Sequence, residues 1–175
     1  MEAKLAFVDC LLKLERRVYR IYEAWADNEN FSTELRAFWR DMAADEKEHI
    51  TILEHSAGLL NFATVPRSAS GAQMARIEKA ISRAEHATPE MTVDGALGYA
   101  LALENSEING VDDAWLRSFK PDLANLTKAW VPAHEQHLRR LSDAIRKFSR
   151  KENLHKQAAV LLSAYGSENK QGGQL

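Results

Sequence analysis

Apolar side chains recur every three or four residues over long stretches of this chain, the spacing of helices that each bury one face. The first stripe, Leu5, Val8, Leu12, Glu15, Tyr19, Tyr22 and Ala26, predicts a helix from about Ala3 to Ala26. Asp27-Asn28-Glu29-Asn30 interrupts it. A second helix is expected to start near Ser32, whose hydroxyl suits an N-cap. It would bury Leu35, Phe38, Met42, Glu46, His49 and Leu53 before fading between Gly58 and Asn61. Both approach about 25 residues, tall enough for a four-helix bundle.

Between Thr64 and Met91 the pattern loosens. Pro66, Ser68, Ser70 and Gly71 open this stretch and Thr88-Pro89 closes it, around a short amphipathic helix from Ala72 to Ala87 with Met74, Ile77 and Ile81 on one face. A crossover of this kind lets the flanking long helices run in the same direction. Thr92 then caps a third long helix with Leu97, Ala100, Glu104, Glu107 or Ile108, Val111 and Trp115 inward. Pro121 suits the first turn of a fourth, whose stripe is Leu126, Trp130, Ala133 or His134, His137, Leu141, Ile145 and Phe148. Lys151 to Tyr165 reads as a short fifth helix, and Gly166 to Leu175 as a polar, disordered tail. The expected fold is all-α: a four-helix bundle over residues 1–150 with a helix-bearing crossover, then a short C-terminal helix and tail over 151–175.

A length of 175 residues fits one domain with a core that needs no disulfide. The single Cys10, set among Phe7, Val8, Leu11 and Leu12, excludes an intrachain disulfide and a cysteine-built metal cage, and reads as a structural thiol. A formal charge of −2 argues against a dedicated nucleic-acid binder. No apolar run spans a membrane and the first residues lack a signal-peptide layout, so a cytoplasmic location is expected. The basic residues Arg139, Arg140, Arg146, Lys147, Arg150, Lys151 and Lys156 read as a solvated helix face.

What changes the picture is the set of polar residues on the buried stripes. Glu15, Glu46 with His49, Glu104, and His134 with His137 fall one group per long helix. Carboxylates and imidazoles are costly to bury unless paired or metal-bound. Residues three apart share a helix face, so Glu46 and His49 can serve one ion, and so can His134 and His137. One glutamate from each of two helices and an acid–histidine pair from each of the others is the layout of a carboxylate-bridged dinuclear site. Such donors suit iron or manganese better than thiophilic metals. His134 stands where that layout carries a glutamate. An imidazole binds through one nitrogen, whereas a carboxylate can bridge through two oxygens. Glu135 is a nearby carboxylate, but about 100° around the helix. Pro132 removes a helical hydrogen bond just before the site, which could turn Glu135 inward or re-aim His134. His55, His86 and His155 fall outside the stripes and read as surface residues.

Residues 5 to 150 resemble the rubrerythrin branch of the ferritin-like superfamily. The resemblance rests on Glu15 followed by Tyr22 in the first helix, Asp45-Glu46-Lys47-Glu48-His49 in the second, and Leu103-Glu104-Asn105-Ser106-Glu107 in the third. It implies a ferritin-like bundle with Glu15, Glu46, His49, Glu104, Glu107 and His137 as ligands to two iron ions, with Tyr22 hydrogen-bonded to a carboxylate. Manganese or a mixed pair would suit the same ligands. The implied reaction is reduction of hydrogen peroxide or oxygen, which makes the chain a candidate di-iron peroxidase or oxidoreductase. One cysteine cannot build the rubredoxin domain usual in that family, so an external donor such as a rubredoxin-like protein is expected. On this reading Glu15 and His49 hold one metal, Glu104, His134 and His137 the other, Glu46 bridges, and Glu107 moves in or out with redox state. A homodimer is also implied, with Trp25, Trp39 and Trp115 available to cover its interface. Two alternatives stay open: ferrous oxidation or sequestration without reductive turnover, and a metal-free bundle whose polar core pairs with itself, as Glu104 with His137.

Overall fold

The computed structural model describes residues 2–59, 71–87, 91–106 and 124–171, with side chains described for 9–55, 74–87, 91–106 and 132–165. All regular structure among them is helical: α1 (Glu2–Ala26), α2 (Thr33–Leu59), α3 (Gly71–His86), α4 (Val93–Glu104), α5 (Ala124–Phe148) and α6 (Glu152–Gln171). None is long and apolar enough to cross a membrane.

The start signals act as their chemistry predicts. Ser32 Oγ accepts from the Leu35 N–H at 3.2 Å and opens α2. Thr92, in an extended conformation, accepts from the Gly95 N–H at 3.1 Å and opens α4. A Cβ on Gly95 would lie 3.1 Å from Thr92 Oγ1 and 3.2 Å from Met91 Sδ, so a larger residue here would press on the cap. Between α1 and α2, Asn28 Oδ1 accepts from the Asn30 N–H and the Phe31 N–H reaches the Asn28 carbonyl, making a tight reversal. Arg36 reaches back to the Ala26 carbonyl at 3.2 Å, one of the acceptors that a helix end leaves open.

Cross-helix pairs fix the directions. Arg36 meets Ala26 and Arg16 meets Glu54, so α1 and α2 are antiparallel. His137 meets Asp45 while Lys147 meets Glu34, so α5 runs against α2. Glu104 meets His137 while Asp94 meets Ser149, so α5 also runs against α4. Hence α2 and α4 share a direction, as a crossover between them requires. α3 packs on α1 and α4. There Arg17 binds Glu78 and Glu85 of α3, a two-carboxylate clamp on the crossover helix. α6 packs on α4 and α5.

The stripes are buried as the periodicity predicts, with Leu35, Met42 and Leu53 of α2, Ile77 and Ile81 of α3, Leu97 and Ala100 of α4, and Leu141 and Ile145 of α5 all in the core. Three expectations change. The third bundle helix, expected to run on past Glu104 with Val111 and Trp115 on its stripe, ends at Glu104 with Asn105 as its C-cap. Trp25 and Trp39 cover no outer surface; they are buried against each other and against Tyr22, with Trp25 and Trp39 ring centroids 4.7 Å apart. The apolar face of α1 and α2 is wider than one line of residues and takes in these flanking indoles. The C-terminal helix continues through Gly166 to Gln171, beyond the expected start of a disordered tail. Among the basic residues, Arg139, Arg140, Arg146, Lys147, Lys151 and Lys156 each stand beside a carboxylate. Cys10 is half-buried and packs on the core. The expectations attached to Glu107, Ile108, Val111, Trp115, Pro121 and residues 172–175 lie outside the described residues, as do the side chains of Leu5, Val8, Leu126 and Trp130.

Candidate metal centre

Helices α1, α2, α4 and α5 bring Glu15, Glu46, His49, Glu104, His134 and His137 into one buried cluster in which no member is more than 6% exposed. An unpaired buried ion costs several kcal/mol, and a whole domain is stable by only about 5–15 kcal/mol. Six such groups cannot persist as isolated charges. Their arrangement must supply compensation through one another, through metal, or through both.

Helix geometry assembles the cluster. Glu15 lies one heptad before Tyr22 on the face of α1 that meets α2. Glu46 and His49 are one turn apart on α2, and His49 Nδ1 lies 3.1 Å from Glu46 Oε2 and 3.9 Å from Glu15 Oε2. On the other side, His137 Nε2 lies 3.1 Å from Glu104 Oε1 and 3.5 Å from Glu46 Oε1. Two three-residue groups result, Glu15–Glu46–His49 and Glu46–Glu104–His137, each with ligand atoms within 4.8 Å of one another. Glu46 belongs to both, with one oxygen toward each histidine. Ligands about 2.1 Å from one ion stand at most about 4.2 Å apart, so small side-chain adjustments would draw either group onto a metal. The donor set is three carboxylates, with Glu46 shared between the groups, and two imidazoles, residues that could hold a metal ion.

The residues around the ligands fix their orientation. His137 Nδ1 lies 3.0 Å from Asp45 Oδ2, and Asp45 is in turn held by Arg140. With Nδ1–H directed at a carboxylate, Nε2 is turned toward the cluster, where loss of its proton would free a lone pair, the arrangement typical of metal-binding histidines. Nε2 is buried and lacks the alignment of a hydrogen bond to either neighbouring carboxylate. Residue spacing alone assigns Asp45 no role. Its position, one residue before Glu46, turns it off the central stripe and toward α5, and only that packing shows what it touches. Tyr22 donates to Glu104 Oε1 at 2.8 Å and is itself completely buried, stacked on Trp39. The carboxylate that Tyr22 serves is therefore Glu104, on α4.

His134 enters the same buried space, with ring centroids 5.9 Å from His49 and 6.0 Å from His137. It is not a member of either three-residue group. Glu135 does not turn inward: it is bound by Arg139 on the outer side of α5. α5 continues as a helix through Pro132, whose side faces solvent, and presents His134 to the interior. His55 and His86 are exposed, while His155 is half-buried with Nε2 3.0 Å from the Ser149 carbonyl oxygen. No family model, curated protein or solved structure matches the chain.

Without metal the cluster balances its own charge. Burial would raise the Glu104 carboxyl, but the His137 charge, His134 and the Tyr22 hydroxyl hold it down to about 2. Burial would lower His137, but Glu104 and Asp45 raise it to about 10. His49 is likewise raised above the ordinary histidine range: burial opposes this, but Glu46 and Glu15 outweigh it. Burial raises Glu46 to about 8, and burial lowers His134 to about 3. At neutral pH the metal-free core thus holds protons on Glu46, His49 and His137. Bound cations would displace these, so metal uptake is expected to release about three protons.

These shifts set the pH dependence of the metal-free protein. Between pH 4.5 and 2 the unfolded chain protonates its glutamate while Glu104 stays ionised, so stability falls with falling pH. His134 acts the same way between 6.5 and 3. Glu46 and His137 keep protons that the unfolded chain loses above 4.5 and 6.5, so stability falls as pH rises toward 8 and 10. Thermal melts in chelator are expected to give a maximum between pH 4.5 and 6.5 and a decline above it. A melting temperature that climbs from pH 6.5 to 9 would contradict this proton inventory.

Proposed function

We propose that this chain is a ferritin-like dimetal protein of the rubrerythrin kind, which reduces hydrogen peroxide or oxygen with electrons from an external donor. The observation that carries the reading is Glu46, one carboxylate shared between two buried ligand groups. Two redox-active ions bound there would supply two electrons to the O–O bond of peroxide, which with two protons yields two waters, and the donor would restore those electrons. The chain's own residues hold and orient. Glu15 and His49 serve one side, Glu104 and His137 the other, and Glu46 spans them. Tyr22 fixes the Glu104 carboxylate, and Asp45 fixes the His137 ring so that Nε2 faces inward. Burial excludes bulk water from the cluster, so a fixed ligand arrangement acts there at a lower dielectric than in solvent.

Protein produced with iron supplied is expected to carry close to two metals per chain, and the metal-loaded protein to consume peroxide repeatedly only when a reductant is present. Stopped-flow oxidation of added ferrous ion, measured beside donor-driven turnover, separates this from iron oxidation and storage. Uptake of iron with a single oxidation event and no donor-driven cycle would replace the reductive reading by the storage one.

One observation favours a different reading. Glu104 and His137 form a close pair without any metal, and the metal-free core is charge-balanced. A bundle that keeps this network as a structural feature would carry essentially no metal after iron loading and would melt at the same temperature with and without a chelator.

A further inference from the structure

The C-terminal helix carries its own apolar stripe: Leu154, Ala158, Leu161 and Tyr165, at spacings of four, three and four. Leu154 and Ala158 are buried and Leu161 packs on the core. Leu154 Cδ2 would lie 3.7 Å from a Cβ on Gly98, so α6 sits close against α4 at its first turn. The start of α6 is anchored where Ser149 Oγ meets Asp94 and accepts from the Lys151 N–H. Carried along the helix, the stripe ends on the ligand cluster. The Tyr165 ring stands edge-on to His134, with centroids 4.7 Å apart and planes at 63°. The tyrosine as a residue is half-buried, yet its hydroxyl oxygen is fully buried, so the phenol points inward. His134 beneath it is 1% exposed.

We propose that α6 is the cover of the ligand cluster, with Tyr165 as the positioning residue that holds the His134 ring and closes the cluster on this side. An edge-to-face contact fixes the plane of the ring it meets as well as excluding water from it. His134 has no place in either three-residue ligand group. Tyr165 and α6 keep it inside the core. The consequence for metal retention rests on the dimetal reading; the positioning of His134 does not.

The test separates the two. Metal-free protein is treated with diethyl pyrocarbonate, which acylates accessible neutral imidazoles, and each histidine is read by peptide mass spectrometry. Exposed His55 and His86 give the reference rate. In the unaltered protein His134 is expected to react at least about tenfold more slowly than His55. Tyr165→Ala should bring His134 to within about threefold of His55 while His49 and His137 stay protected, and Tyr165→Phe should restore the protection. If Tyr165→Ala unfolds the chain, seen as His49 and His137 reacting at the reference rate, Tyr165→Leu keeps the α6 stripe without the ring edge and is read in its place. Unchanged protection of His134 in the Ala or Leu variant, or a fast His134 in the unaltered protein, overturns the proposal. In a second arm, a chelator is expected to strip iron from Tyr165→Ala about tenfold faster than from the unaltered protein. A chain that binds no metal would sink the dimetal reading, and the acylation result would still decide the cover.

Discussion

Glu46→Ala is expected to empty both halves of the cluster, with more than half of the bound metal lost per chain. The two oxygens of this side chain face opposite histidines, His49 at 3.1 Å and His137 at 3.5 Å, and Glu46 is the member that the two groups share. Removing it takes away one negative charge and a ligand from each side, and the remaining groups, Glu15–His49 and Glu104–His137, are reduced to two donors apiece. Glu46→Gln keeps the shape but not the charge and should lose metal nearly as fully, because a neutral amide offers one acceptor oxygen. Glu48→Ala, two residues along the same helix and exposed, should keep its metal and is the control. Metal analysis of the three variants is sufficient. A Glu46→Ala protein that keeps more than half the metal would remove Glu46 from the ligand set.

The second large effect concerns folding. His137→Leu is expected to destabilise the metal-free protein by about 3–5 kcal/mol at neutral pH, because it leaves the Glu104 carboxylate buried with its charge uncompensated. Tyr22 still donates to Glu104, but one neutral hydroxyl does not replace an imidazolium. Asp45 keeps Arg140 at the cluster's edge and suffers less. At about 2–4 °C per kcal/mol for a domain of this size, the melting temperature should drop by roughly 6–20 °C. Adding Glu104→Leu should recover much of that loss, since removing both partners of a buried pair is far less costly than removing one. A single variant that melts within about 2 °C of the unaltered protein would mean that this pair is not what neutralises the core. Urea titration at pH 6 and pH 9 checks the same point, because the pair's contribution fades as pH rises toward the raised value of His137.

Both predictions rest on positions that the amino-acid pattern identifies without coordinates. A period of three and four residues places Glu15, Glu46, His49, Glu104 and His137 on the same stripes as Leu12, Met42, Leu53, Ala100 and Leu141, and helical geometry then turns them inward. The caps at Ser32 and Thr92 are equally legible, since a hydroxyl just before an apolar-periodic run has one obvious use. Trp25 and Trp39 were harder to place. A residue beside a stripe can face either solvent or a neighbouring helix, and periodicity alone does not say how wide the buried face is.

The sequence by itself determined that this is an all-helical chain with acids and imidazoles on its buried faces, because burial on a helix is periodic and can be counted along one dimension. Tertiary structure alone decided the partners: that His137 is held by Asp45 and Arg140, that Tyr22 serves Glu104, that Glu135 turns outward to Arg139, and that Tyr165 reaches His134. These contacts join residues on the flanks of different helices or at the end of one. Their meeting depends on helix rotation and crossing, which no spacing within a single helix records.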